Sequence, residues 1–152
     1  PNFLIYKNLG WYNTLRPLWF GSFFGSAFFI FLLRQFMKGI PTDLEDSAKI
    51  DGCGYLGIYA RIILPLIKPA LAAIGIFTFM NVWNDFMGPL IFLNDQRLYP
   101  LSLGLFALQV FQLTNFGLMM AASVLMTIPV ILLFFAAQRH FIQGVTLTGM
   151  KG

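Results

Sequence analysis

The chain has 152 residues, 58% of them hydrophobic and 11% charged, with a mean hydropathy of +0.74 and a net charge of +4. A soluble domain is about one-quarter charged. This composition therefore excludes a water-solvated globule and points to lipid as the solvent.

The first predicted element lies between Arg16 and Arg34, where no residue is ionisable. With its aromatic flanks, about 11–36, it supplies the ~20 residues that a bilayer-spanning helix needs. Gly21, Ser22, Gly25 and Ser26 within it suit close helix packing, or less simply a flexible lining of a permeation path.

The polar loop 37–68 follows, and it reads as two short helices joined by a glycine-rich elbow. Thr42 is placed to cap the first helix, Glu45 three residues on to close a capping box, and Asp43 and Asp46 to face the positive end of the helix dipole. Gly52 can adopt the positive φ that ends a helix. The second short helix, Tyr55 to Ile63, is expected to carry Leu56, Tyr59, Ile62 and Ile63 on one face, before Pro65 breaks it.

The second span is expected at about 69–93, apolar except for Asn81, Asn84 and Asp85. Polar groups inside a span are costly, about 2.5–3.5 kcal/mol for a central Asp on insertion scales, so they face a bundle interior or an aqueous cavity. Their i, i+3 and i, i+4 spacing puts all three on one helical face. Counting from Pro69 at 1.5 Å per residue places Asp85 roughly 24 Å in. A periplasmic gate or substrate path and interhelical hydrogen bonding both account for the trio. Trp83 can stack on the apolar face of a ring-shaped ligand, or meet lipid or a neighbouring helix.

Leu98 to Gln138 carries no charge and is too long for one helix; Gln109, Gln112 and Asn115 mark the place to divide it. The division predicts a shorter interfacial or re-entrant helix, Leu101 to Leu113, and a third span, 116–138, which Pro129 is expected to kink. His140 falls just beyond it as an interfacial residue, and 139–152 form a tail. Lysine and arginine set the orientation. Arg34, Lys38, Lys49, Arg61, Lys68, Arg139 and Lys151 are expected on one side, against Lys7, Arg16 and Arg97 on the other. The richer side is cytoplasmic, which puts loop 37–68 and the tail inside. Topology thus explains the net charge, and no nucleic-acid partner is needed.

No His, Cys or acidic cluster has metal-ligand spacing, no nucleophile sits with a base, and no glycine-rich phosphate loop carries a lysine. Cys53 is alone, which excludes an intrachain disulfide. The chain is expected to hold no catalytic residue, metal or cofactor of its own.

At the elbow the spacing becomes specific. Asp46, Ser47 and Ala48, then Gly52 after three intervening residues, then Ile62, Leu64 and Pro65 resemble the signature of ABC importer permeases: EAA, three residues, Gly, nine residues, Ile-x-Leu-Pro. The chain departs from it at Asp46 and Ser47, although Glu45 stands beside them. The flanking FFIFLLRQFMKGIP and KPALAAIGIFTFMNVWNDFMGPLIFLND, and the terminal QRHFIQGVTLTGMKG, look like carbohydrate-type permeases of the maltose and glycerol-phosphate importer kind.

The resemblance implies an all-α, polytopic transmembrane helical bundle whose signature helix docks into a separate ATP-hydrolysing subunit. ATP and Mg would be bound there, so this chain is no enzyme. Glu45, Asp46, Ser47, Ala48, Gly52, Ile62, Leu64 and Pro65 would form the coupling loop, in which the Thr42–Glu45 pair serves either as a cap or as a contact. A second homologous permease, an extracytoplasmic solute-binding protein and a carbohydrate cargo are the other implied partners, in the cytoplasmic (inner) membrane. A polyol, glycerol-phosphate or osmolyte permease is an alternative, as is a non-transport structural membrane subunit. Three spans without a preceding signal segment lead to the expectation that the chain is the C-terminal part of a longer permease.

Overall fold

The computed structural model describes residues 1–111 and 116–148. Among these, every regular element is a helix: α1 (Asn2–Asn8), α2 (Arg16–Phe23), α3 (Ala27–Lys38), α4 (Thr42–Ile50), α5 (Tyr55–Ile58), α6 (Leu64–Trp83), α7 (Met87–Phe92), α8 (Leu101–Phe111) and α9 (Phe116–Thr148). A π turn at Tyr59–Ile63 joins α5 to α6, and a 3-10 turn at Gln96–Leu98 precedes α8. Three stretches are long and apolar enough to cross a membrane: Arg16–Lys38, Tyr55–Trp83 and Phe116–Gln138. Their outward faces are left bare, with Phe23, Phe28, Val82, Leu132 and Phe134 all more than half exposed. In water such surface would be costly, and the burial that stabilises these helices must come from lipid or further protein.

The chain forms two compact units. One comprises Pro1–Gly25 and Thr78–Ala136. Here α2 opens with Pro17 in its first turn, where the missing N–H leaves no helical bond unmade, and packs on α7. Aromatic rings knit the N-terminal segment to this pair: Tyr6 meets Phe92 at 5.4 Å and Trp11 meets Phe20 at 5.0 Å between centroids, both edge to face, the arrangement ring quadrupoles favour. Asn13 adopts φ +58. That conformation lets its Oδ1 accept from the backbone N–H of both Asn94 and Asp95 at 2.9 Å, while its own N–H donates to Phe92 O at 2.9 Å.

The second unit comprises Ser26–Phe77 and the stretch from Ala137. Its core is Ala48, Ile58, Ile63 and Ile67, with Leu33, Ile40 and Cys53 packed around them.

Several expectations are corrected. The first apolar stretch is two helices, because Gly25 takes φ +76 between α2 and α3. Gly21 has nothing within 4 Å of where a Cβ would stand, so among the described residues it mediates no close packing. Pro65 does not break the chain into a short helix and a span starting at Pro69. Helix continues from Tyr55 to Trp83, since the N–H of Leu64 bonds to Tyr59 O, five residues back. This widened turn re-spaces the preceding carbonyls where Pro65 offers no donor and its ring needs room.

At the other end α6 stops at Trp83, and α7 begins only at Met87. Residues 69–93 are therefore broken within the last third rather than forming one helix. Helices α8 and α9 flank the expected division, but Gln112, Leu113 and Asn115 lie outside the described residues, as do 149–152 of the expected tail. Pro129 lies inside α9, which continues to Thr148.

Candidate functional site

The signature residues assemble on α4 and the elbow after it. Helix α4 does not start with the expected capping box. Pro41, in extended conformation (φ −60, ψ 134), occupies the cap position and contributes no side-chain bond, which puts Thr42 inside the first turn. Glu45 is then one residue too far along to reach back. Asp43 and Glu45 still lie in the first turn, where the helix dipole favours negative charge.

The C-terminus of α4 is a complete Schellman motif. Gly52 adopts φ +78, its N–H donates to Lys49 O at 3.0 Å, and the N–H of Cys53 donates to Ala48 O at 2.9 Å. The apolar contact that accompanies this motif is present, since Cys53 packs against the cluster containing Ala48. Ala48, 5% exposed, is thus the inward anchor of the elbow. Ser47 faces outward and its hydroxyl donates to Asp43 O at 2.7 Å. Asp46 is exposed and accepts from Lys49 Nζ at 2.9 Å. That hydrogen bond, with the attraction of the same carboxylate, raises the Lys49 pKa above its ordinary value.

Beyond the elbow the inward face differs from the expected one. Ile58 and Ile63 are buried and Ile62 and Leu64 half-buried, whereas Leu56 is 85% exposed and Tyr59 49%. The cause is the π turn: its five-residue register brings Ile58 and Ile63 to one side, where a 3.6-residue period would have paired Leu56 with Tyr59. Tyr55 and Ile50 are both 86% exposed. The elbow therefore holds three large apolar side chains almost bare, on backbone pinned by two hydrogen bonds and a small core. Periodicity missed Ile50 and Tyr55 and put Leu56 on the wrong face; the signal available was their position immediately around Gly52 and Gly54.

Of the polar residues of the second apolar stretch, Asn84 and Asp85 sit in the break between α6 and α7 and Asn81 in the last turn of α6, so they do not share one helical face. Asn84 Nδ2 donates to Met80 O at 2.8 Å, a carbonyl of the last turn that also accepts the Asn84 backbone N–H at 3.1 Å. Asp85 lies past the helix end; its Oδ1 accepts from Gly88 N–H at 3.1 Å and its carbonyl accepts from Ser102 Oγ at 2.7 Å. A Cβ at Gly88 would stand 2.6 Å from Asp85 Oδ2, so glycine is what lets the carboxylate sit over that amide. Trp83 turns to α9, with Nε1 donating to Met126 O at 3.0 Å and its ring stacked on Phe79 at 5.5 Å. Asn81 is exposed and makes no side-chain hydrogen bond among the described residues. The four positions thus divide: two close the helix break, one ties helices, one is left open.

Among the described residues no group of His, Cys, Asp and Glu could hold a metal ion. The sequence profile of the binding-protein-dependent transport system inner membrane components matches residues 2–147. The chain is 41% identical over 123 residues to the arabinooligosaccharides transport system permease protein AraQ of Halalkalibacterium halodurans, covering 81% of this chain and 44% of that protein. It is 35% identical over 167 residues to the polygalacturonan/rhamnogalacturonan transport system permease protein YtcP of Bacillus subtilis, covering 100% and 58%. It is also 35% identical over 144 residues to the lactose transport system permease protein LacG of Rhizobium radiobacter, covering 95% and 52%. The chain spans about half the length of these curated relatives.

Proposed function

The chain belongs to the family of binding-protein-dependent transport system inner membrane components, and from that membership we propose that it is the ATPase-coupling part of a permease subunit importing a carbohydrate. Family membership and the apolar helices make it a polytopic membrane protein, and the family's permeases are not themselves enzymes. The carbohydrate cargo follows the relatives, whose names specify arabinooligosaccharides, polygalacturonan/rhamnogalacturonan and lactose transport.

The observation that carries the coupling role is the elbow. Ile50, Tyr55 and Leu56 are 85–86% exposed on a rigid, cross-bonded turn, and bare aromatic and aliphatic residues on fixed backbone are what a protein socket recognises. The Asp46–Lys49 pair and Asp43 surround them with charges suited to steering the encounter. In this reading loop 37–68 lies on the cytoplasmic side and enters a separate ATP-hydrolysing subunit, which holds ATP and Mg. Closure of two such subunits then drives the permease pair between its inward- and outward-facing states, after an extracytoplasmic binding protein has delivered the substrate. Of the four polar-break residues, Asn81 is the one we assign to the substrate path; Asn84, Asp85 and Trp83 hold the wall that carries it.

Co-purification tests the reading. Tyr55→Glu/Leu56→Glu in the full-length subunit changes only side chains that touch little within the chain, so the subunit should still insert while its ATPase partner is lost from the complex. Retention of the partner at the wild-type ratio would defeat the coupling assignment.

A further inference from the structure

A groove of about 420 Å³ opens between the C-terminal turns of α3, the start of α4 and the π turn. Leu33, Met37, Ile40 and Ile63 form its apolar wall, and Arg34, Lys38 and Glu45 also line it. Arg34 and Lys38 are spaced i, i+4 and are therefore neighbours on the surface of α3. They lie at the end of the first membrane-crossing stretch, where a helix leaves hydrocarbon for headgroups. Both are exposed, Glu45 is half-buried, and none of the three has an ion-pair partner among the described residues. The volume falls in the ~300–1,000 Å³ range that accommodates a small molecule or a substantial part of one.

Two cations and one carboxylate around an apolar slot at a membrane boundary define the complementary ligand by its charges. The cations call for a phosphate, the carboxylate for an ammonium, and the wall for hydrocarbon. We propose that this groove binds one aminophospholipid of the phosphatidylethanolamine class, with its phosphate on Arg34 and Lys38, its ammonium on Glu45 and an acyl chain along Leu33, Met37, Ile40 and Ile63. Inorganic phosphate would leave the apolar wall unused. Phosphatidylglycerol would satisfy the cations but bring Glu45 no ammonium, leaving it only the attraction of Lys49 one turn along α4, and phosphatidylcholine offers no N–H to donate. With loop 37–68 on the cytoplasmic side, as proposed above, the groove lies at the inner leaflet; the lipid assignment itself does not rest on that placement. Because Glu45 belongs to α4, an occupied groove would fasten a headgroup to the base of the coupling helix.

The test uses the full-length permease assembled with its partner subunits, equilibrated with equal amounts of phosphatidylethanolamine, phosphatidylglycerol and phosphatidylcholine, and examined by native mass spectrometry. The wild type should retain phosphatidylethanolamine in preference to the other two. R34Q/K38Q should lower that retention roughly tenfold or more, while E45Q should keep lipid bound and abolish the preference for phosphatidylethanolamine over phosphatidylglycerol. Equal retention of all three lipids by the wild type, or unchanged retention in R34Q/K38Q, would overturn the site; the latter is the result expected if protein fills the groove in the assembly. The wild-type comparison needs no variant to fold. Substrate uptake measured on the same preparation separates the two proposals: retained lipid without ATP-driven uptake counts against transport alone, and uptake without lipid preference counts against the groove alone.

Discussion

The backbone N–H of Cys53 donates to the carbonyl of Ala48 at 2.9 Å, and this bond turns the chain back on itself between Ile50 and Tyr55, which with Leu56 are the most exposed large apolar side chains among the described residues. It forms because Gly52 between them takes φ +78. A left-handed residue reverses the helix without a loop that would have to be ordered separately. The rigidity of the elbow is therefore a property of one glycine.

Gly52→Ala should cost about 1–2 kcal/mol, the conformational penalty of an L-residue in the left-handed region. No atom lies within 4 Å of the new methyl group, so the penalty is backbone strain and not a clash. Asn, which visits this region more readily, should recover part of it. Thermal unfolding of the purified complex checks the order: wild type highest, Gly52→Asn next, Gly52→Ala lowest.

Trp83→Phe keeps a ring to stack on Phe79 and removes the donor to Met126 O. The expected loss is about 0.5–1.5 kcal/mol, the net worth of one hydrogen bond. Trp83→Ala, which also forfeits the stacking, should cost more. Urea or thermal titration in detergent distinguishes the two; equal losses would show that the stacking contributes nothing, and no loss in Trp83→Phe that the hydrogen bond contributes nothing.

The Asp85 carboxylate and the Gly88 amide form a coupled pair. Gly88→Ala drives a methyl group toward Asp85 Oδ2 and should displace the bond that caps α7. Once Asp85→Ala has removed the carboxylate, the same glycine substitution should cost less. A double-mutant cycle should therefore be non-additive, with an interaction of roughly 0.5–3 kcal/mol; additivity would contradict the contact.

The helical architecture was legible in the sequence because charge and apolarity partition so cleanly along it, and the stop at Gly52 was legible because only glycine is cheap at positive φ. Where local rules failed, a neighbouring backbone event had changed the register. Pro41 took the cap that Thr42 was expected to supply. The π turn at Tyr59–Ile63 exchanged the inward face of the second loop helix and carried the chain past Pro65. The break at Asp85 was invisible because apolar residues continue on both sides of it. Asn13, which holds Asn94 and Asp95 from more than eighty positions away, makes bonds that no local period encodes.

A photo-crosslinking amino acid placed at Leu56 in the full-length permease tests the central claim most directly, because that side chain is 85% exposed at the tip of the elbow. The account predicts a crosslink to the ATP-hydrolysing subunit in the assembled importer, with a yield that changes between nucleotide-free and ATP-bound states. Crosslinking to lipid alone, or to a neighbouring membrane subunit with none to the ATPase, would contradict it.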